Sequence, residues 1–211
     1  VNAAPPRPPA SGQRVPIVVM ASGTGSLMEA LLERADRDAP FRVVAVVTDR
    51  DCRAADIARE RSIPVLRCRV SDHADRAAWD VDLTDGVAAF EPQWVVTAGF
   101  MKILGPVFLS RFGGRIVNSH PALLPSFPGA HGVADALAHG VKVTGTTVHL
   151  VDDGVDTGPI LAQRAVEVRA DDTEASLHER IKSVERVLLA DVVTDVVTKG
   201  VVIDGRKASI P

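Results

Sequence analysis

The sequence is poor in aromatics: it has no tyrosine, two tryptophans and six phenylalanines in 211 residues, or 4%. Val, Ala and Leu must therefore do the packing. Cysteine is scarcer still. Cys52 and Cys68 have no metal-like spacing, one disulfide would be optional in a chain this large, and nothing else points to secretion, so both are expected as reduced thiols. The formal net charge is −3 and no long Lys/Arg run is present, which leaves no electrostatic footprint for nucleic acid. Small anionic ligands stay open, because local donors hold those. No apolar run approaches ~20 residues, so no membrane span is expected. The opening "VNAAPPRPPASGQR" lacks a basic start with an apolar h-region and a cleavage site. These absences together lead to the expectation of a cytoplasmic protein.

Hydrophobic residues make up 46% of the chain and charged residues 24%, enough for one large domain with a sizeable core. Residues 1–14 have almost nothing to bury and are expected as a disordered tail. From Val15 the pattern changes. A continuous apolar run at 15–21 reads as a strand covered on both faces, and 41–49, 63–68, 93–99 and 114–120 read as further strands. Helical spacing separates them at 27–35, 54–62 and 73–90, the last with Ala77, Val81 and Val87 near one stripe. "MKILGPVFLSRF" reads as a helix interrupted at Gly105-Pro106, and 133–140 as a short helix ended by Gly140. Strands follow at 142–151 and 160–168. Residues 173–199 form the clearest helix, with Thr173 as its cap and Leu177, Ile181, Val184, Leu188, Val192 and Val196 as its buried stripe. The alternation predicts one α/β domain over 15–204, a mostly parallel sheet with helices on both faces, an antiparallel addition near 142–168 and a tail at 205–211.

Three stretches carry chemistry. "SGTGS", residues 22–26, joins a strand to a helix, where backbone N–H groups can approach an anion at the positive end of the helix dipole. Gly25 and Ser26 are the best donors. A Walker lysine is absent, and Met28 stands where the third glycine of a dinucleotide fingerprint belongs. Asp49 would suit a ribose, so a dinucleotide remains open, as does a plain tight turn. Asn118 and His120, two residues apart at a strand's carboxyl end, project from one face. An amide beside an imidazole can hold an oxyanion and manage a proton; the alternative is two satisfied polar groups. "VDDGVDTGPI", 151–160 in the strand-to-strand connection, does not match calcium-loop spacing. Asp156 turned inward would orient His120 and favour its cation; a solvated acidic hairpin accounts well for Asp152 and Asp153 and equally for Asp156. His149 shares a strand face with Thr147 and suits a supporting role. His73 and His178 read as surface helix positions, His139 lies near a helix end and His131 could line a pocket. No His/Cys/Asp cluster has zinc spacing, and no G-x-S-x-G is present.

Together the segments "VVMASGTGS", "AGFMKILGPVF", "RIVNSHPALLPSFPGAHG", "GTTVHLVDDGVDTGPI" and "RIKSVERVLL" resemble, in one order over about residues 16–200, the folate-dependent formyltransferases that act on glycinamide ribonucleotide. The resemblance implies a Rossmann-like domain. It also implies transfer of a formyl group from 10-formyltetrahydrofolate to the primary amine of glycinamide ribonucleotide, in purine synthesis and without a metal. His120 matches the catalytic histidine, Asn118 the amide that fixes the formyl oxygen and Asp156 the carboxylate that assists proton movement. The phosphate would rest on the N–H groups of Gly25, Ser26 and Leu27, where many relatives carry Asn at the Leu27 position. Lys182 would lie near the phosphate and Glu185 near the ribose or glycinamide; their i, i+3 spacing alone equally fits a solvated salt-bridge face. The pterin would slot against Met101, Lys102, Ile103 and Leu104, with Lys102 in place of a common arginine, and Arg76 would reach the folate tail. Val151, Asp152 and Asp153 would form the adjacent loop. Leu124-Pro125 matches a bond that is cis in relatives, and the prolines would keep Asn118 and His120 aimed at one carbon. Sister enzymes with the same Asn-x-His…Asp unit carry extra domains that this chain is expected to lack. The sequence leaves a homodimer open.

Overall fold

The computed structural model describes residues 13–37 and 39–211. Most of the expected N-terminal tail, 1–12, lies outside the described residues. Arg14, assigned to that tail, is instead tied down: its Nε donates to the carbonyls of Ala39 and Phe41 at 3.1 and 3.0 Å.

β1 (Val15–Ala21) shows why its run is apolar throughout. Ile17 and Val19 point to one face of the sheet and Val18 and Met20 to the other, all fully buried. The next elements are α1 (Ser26–Asp36), β2 (Phe41–Thr48), α2 (Arg53–Glu60), β3 (Val65–Arg67), α3 (Arg76–Ala88), β4 (Trp94–Thr97), α4 (Pro106–Phe112) and β5 (Ile116–His120). Then come α5 (Gly132–Ala138), β6 (Val143–Leu150), β7 (Ile160–Glu167), α6 (Glu174–Lys199), β8 (Val202–Asp204) and β9 (Lys207–Ser209). The strands form one sheet in the order β3-β2-β1-β4-β5-β6-β7-β9-β8. β3, β2, β1, β4 and β5 are parallel, and β6 runs antiparallel to both of its neighbours, as expected near 142–168. The order reverses between β1 and β4, and ligands of open α/β sheets bind outside the strand ends at such a point.

One face packs Val19 and Val117 against α1 and α6 through Leu31, Leu188 and Val192; the other packs Met20, Val95 and Ile116 against Trp79, Leu83, Phe108 and Phe112 of α3 and α4. α6 opens with the expected Thr173 cap: its hydroxyl accepts from Ser176 N at 3.1 Å while Ser176 Oγ accepts from Thr173 N at 3.0 Å. No described helix is long and apolar enough to cross a membrane.

Three expectations need correction. Residues 101–105 are loop, and α4 starts at Pro106, because the Asp80 carboxylate accepts from the N–H groups of Val107 (2.8 Å) and Phe108 (3.3 Å) and fixes the helix start there. Ala77 and Val81 are exposed; the buried stripe of α3 is Trp79, Leu83 and Val87, a phase set by burying the indole. Residues 205–211 include β9, which extends the sheet beside β7.

Candidate active site

β5 carries Asn118 and His120 on the α3/α4 face and Ser119 on the opposite one. Its register with β6 sets His149 opposite Asn118 and Thr147 opposite His120. Thr147 turns out to hold the proline loop. Its hydroxyl donates to Ala122 O at 2.7 Å and accepts from Leu124 N at 3.0 Å, and Gln163 Nε2 joins both Leu124 O and Thr147 Oγ1 at 2.9 Å. Leu124-Pro125 is cis.

Asp156, from the loop between β6 and β7, is the point on which the other groups converge. Its Oδ2 lies 3.3 Å from His120 Nδ1 and accepts from Gly129 N at 2.7 Å. Its Oδ1 lies 3.5 Å from Asn118 Nδ2 and 3.6 Å from His149 Nε2. Burial pushes the Asp156 carboxyl up, but the contacts with His149, the Gly129 N–H and the charge of His120 outweigh it and hold the group below its ordinary range. His120, 4% exposed, donates from Nε2 to Phe127 O at 2.7 Å, which fixes the ring and leaves Nδ1 toward the carboxylate. Asn118 is equally constrained: Oδ1 accepts from Thr97 Oγ1 at 2.6 Å, and Nδ2 meets His149 Nε2 at 3.0 Å. His149 donates from Nδ1 to Leu150 O at 2.8 Å, and its Nε2 faces both that amide and Asp156.

Phe127 (φ 56°) and Asp156 (φ 54°) both occupy the left-handed region, at a cost of about 1–3 kcal/mol each. A side chain on Gly132 would put Cβ 3.0 Å from both His120 Nε2 and Phe127 O. Thr97, the Phe127 carbonyl, Gly129 and Gly132 were not among the residues singled out from the sequence. Only the glycines of "FPGAHG" gave a local sign; Thr97 becomes visible once β4 is paired with β5.

The turn expected to cradle an anion stands at the start of α1. Gly25 caps the helix with φ 81°, which a side chain would strain, and a Cβ there would also stand 2.9 Å from Ala54 Cα. The first helical bond runs from Glu29 N to Gly25 O, and no side chain caps the N–H groups of Ser26, Leu27 and Met28. Leu27 offers only its backbone, since its side chain is core. Met20 pairs with Thr97 and Thr97 with Asn118, so the cradle is two strands, about 10 Å, from β5.

Residues 99–104 lie beside this turn. Ser22 N donates to Gly99 O at 3.1 Å and Ser22 Oγ accepts from Met101 N at 2.9 Å. Met101 and Ile103 present 56% and 64% of their surface, a large apolar exposure, whereas Leu104 is core. Arg76 Nη2 donates to Ile103 O at 2.6 Å. Lys102 Nζ sits 2.8 Å from Asp49 Oδ2. Burial raises the Asp49 carboxyl, but the hydrogen bonds from Arg50, Lys102 and Ser22 bring it down to about 2, so Asp49 is occupied rather than free for a ribose. On the other side, Val151 N donates to Ile116 O, and Asp152 Oδ1 accepts from Gly154 N and Thr157 Oγ1, which shapes the loop that presents Asp156; Asp153 is exposed.

Glu185 is not on a solvated face. It is 3% exposed, accepts from Ser119 Oγ at 2.5 Å, and burial raises its pKa despite that bond and the charges of Lys182 and Arg186. Lys182 is half-buried one turn earlier and has no ion-pair partner among the described residues.

Residues 15–193 match the model of the formyl transferase family. The chain is 61% identical, over 203 residues, to the phosphoribosylglycinamide formyltransferase of Mycobacterium tuberculosis, covering 96% of this chain and 94% of that protein. The crystal structure of glycinamide ribonucleotide transformylase 1 from Symbiobacterium toebii superposes with a TM-score of 0.92 at 35% identity, covering 99% of each chain. A formyltetrahydrofolate deformylase from Pseudomonas syringae pv. tomato matches with a TM-score of 0.88 at 26% identity, covering 95% of this chain and 67% of that one.

Proposed function

The chain belongs to the formyl transferase family, and from that premise we propose how its residues carry out the reaction its relatives are named for. It is an enzyme of purine synthesis that transfers a formyl group to the primary amine of glycinamide ribonucleotide. The donor in our reading is 10-formyltetrahydrofolate, and the products are formylglycinamide ribonucleotide and tetrahydrofolate. The amine nitrogen bonds to the formyl carbon and the carbonyl π pair moves onto oxygen. When the tetrahedral intermediate collapses, the bond to folate N10 breaks, N10 gains a proton and the attacking amine loses one.

The convergence of Asn118 Nδ2 and His120 Nδ1 on Asp156 carries this reading. Both nitrogens reach the carboxylate at long distances, so an oxyanion seated between them can take up both donors. Nε2, held by Phe127 O, keeps the ring oriented, which makes Nδ1 the acting nitrogen. Asp156 stabilises the imidazolium and passes the amine's proton toward the leaving nitrogen through water. His149 acts by fixing the Asn118 amide, and Thr147 by fixing the proline loop. None of these steps uses a metal.

The ribonucleotide phosphate lies on the N–H groups of Gly25, Ser26 and Leu27, with Lys182 adding charge. Glu185 Oε2 makes no hydrogen bond within the described residues and is left for a ribose hydroxyl. The pterin packs on Met101 and Ile103, against backbone groups of 101–104 and the Val151–Asp153 loop, with Arg76 toward the folate tail. Lys102 acts through Asp49 rather than by stacking.

The test is release of tetrahydrofolate with and without glycinamide ribonucleotide. Strict dependence on the ribonucleotide is expected. Formate release at an equal rate without it would instead assign the deformylase reaction.

A further inference from the structure

Cys68 lies just beyond β3, His73 follows a 3-10 turn at Val70–Asp72, and Asp82 is on the second turn of α3. Sequence spacing hides the relation, yet one ligand atom from each lies within 4.8 Å of the others. His73 Nε2 is 3.0 Å from Asp82 Oδ2, and Cys68 Sγ is 3.7 Å from the same oxygen. The other ring nitrogen, His73 Nδ1, donates to Arg69 O at 2.8 Å. A backbone carbonyl on the far nitrogen is the support that orients a metal-binding imidazole and leaves Nε2 for the ion. Cys68 is anchored as well, since Trp79 Nε1 donates to its carbonyl at 3.1 Å. We propose that Cys68, His73 and Asp82 form a site for a zinc-class divalent cation, with water as the fourth ligand.

The donor set decides the class. Thiolate, imidazole and carboxylate suit zinc, whereas magnesium and calcium take oxygen shells. Tetrahedral zinc would set sulfur and carboxylate oxygen about 3.5 Å apart, and nitrogen and oxygen about 3.3 Å apart. The observed 3.7 and 3.0 Å need adjustments of a few tenths of an ångström. The Asp82 side chain is 67% exposed, so the fourth position opens to solvent.

Burial and the Asp82 carboxylate push the Cys68 thiol up to about 12, and the Asp82 hydrogen bond raises the His73 imidazole. Asp72 from the 3-10 turn and Asp82 from α3 are the charges acting on both, while the Arg69 guanidinium turns away to Asp51. Thiolate and neutral imidazole are the ligating forms, so metal binding releases protons and affinity rises with pH. The ion would clamp the β3–α3 connection onto the helix whose Arg76 holds Ile103 O. This site stands independently of the formyl-transfer reading.

Titration of the metal-free full chain with Co²⁺ tests it. One equivalent is expected to give a thiolate-to-cobalt charge-transfer band and the visible bands of a tetrahedral ion, reversed by Zn²⁺. Cys68→Ser should abolish the charge-transfer band and Cys52→Ser should leave it intact. The exposed Asp82→Asn and the half-buried His73→Gln, which spare the buried thiol, should each weaken binding by more than the about tenfold cost of losing an outer-shell partner. Absence of a thiolate band, or a band that follows Cys52 instead, would overturn the site.

Discussion

His120 makes a contact through each ring nitrogen, and the two contacts differ in kind. Nε2 is satisfied by a carbonyl at 2.7 Å; Nδ1 faces a carboxylate at 3.3 Å and retains capacity for a further partner. Replacing His120 with Ala should cut kcat by about 10²–10⁴-fold with little change in ribonucleotide affinity, as steady-state and binding measurements together would show. Gly132→Ala brings a methyl to 3.0 Å from Nε2 and should lower kcat by up to about a hundredfold while the fold persists, read by kcat beside an unchanged melting profile. Asp156 has a depressed pKa in the folded state, so its stabilisation is present above the unfolded value of about 3.9 and is lost as pH falls through the lower folded value. Asp156→Asn should therefore remove part of the decline in melting temperature on acidification below about pH 4, measured as the difference between the two proteins. Asn118 and His120 are legible as a polar pair ending a strand, whereas Asp156 reads from the residues alone equally as part of a solvated hairpin, and its pairing with His120 comes only with the resemblance and the fold. Phe127 is not legible, because it contributes a carbonyl, and backbone atoms have no residue signature.

Elements were legible in proportion to their periodicity. α6 carries five consecutive turns of apolar spacing and a Thr173 cap, and both appear, with Val184 alone of the expected stripe only partly buried. Thr173→Ala should cost about 1 kcal/mol in denaturant unfolding. β1 is a continuous apolar run and equally plain. α4 was misread because its start is fixed by Asp80, a residue on another helix, through a contact no local pattern encodes. Asp80→Ala removes the acceptor of one buried and one part-buried N–H and should cost about 1–3 kcal/mol while raising KM for the folate donor, since the 101–104 loop leads into that turn. α3 was read in the wrong phase because two small apolar residues were weighted like an indole. β8 and β9 have three residues each, too few for alternation to register.

Across the molecule, the sheet order does the assembling. β1 and β4 meet where the chain reverses its progress, and that junction sets the helix N-terminus of α1 about two strand spacings from Asn118. In the proposed function, the ribonucleotide anchors its phosphate at one place and presents its amine at the other. Ser26→Asp puts negative charge at the cradle and should abolish ribonucleotide affinity while sparing folate binding, which parallel titrations would separate. Sheet order itself was not legible, because pairing is long-range and local hydrophobicity says only that strands are buried.

In the proposed mechanism, His120, delivered by β5, and Asp156, delivered by the β6–β7 loop, act as one unit. A double-mutant cycle on kcat with His120→Ala, Asp156→Asn and the pair tests it most directly. The account predicts that the double variant is scarcely slower than His120→Ala alone. Losses that multiply would contradict it.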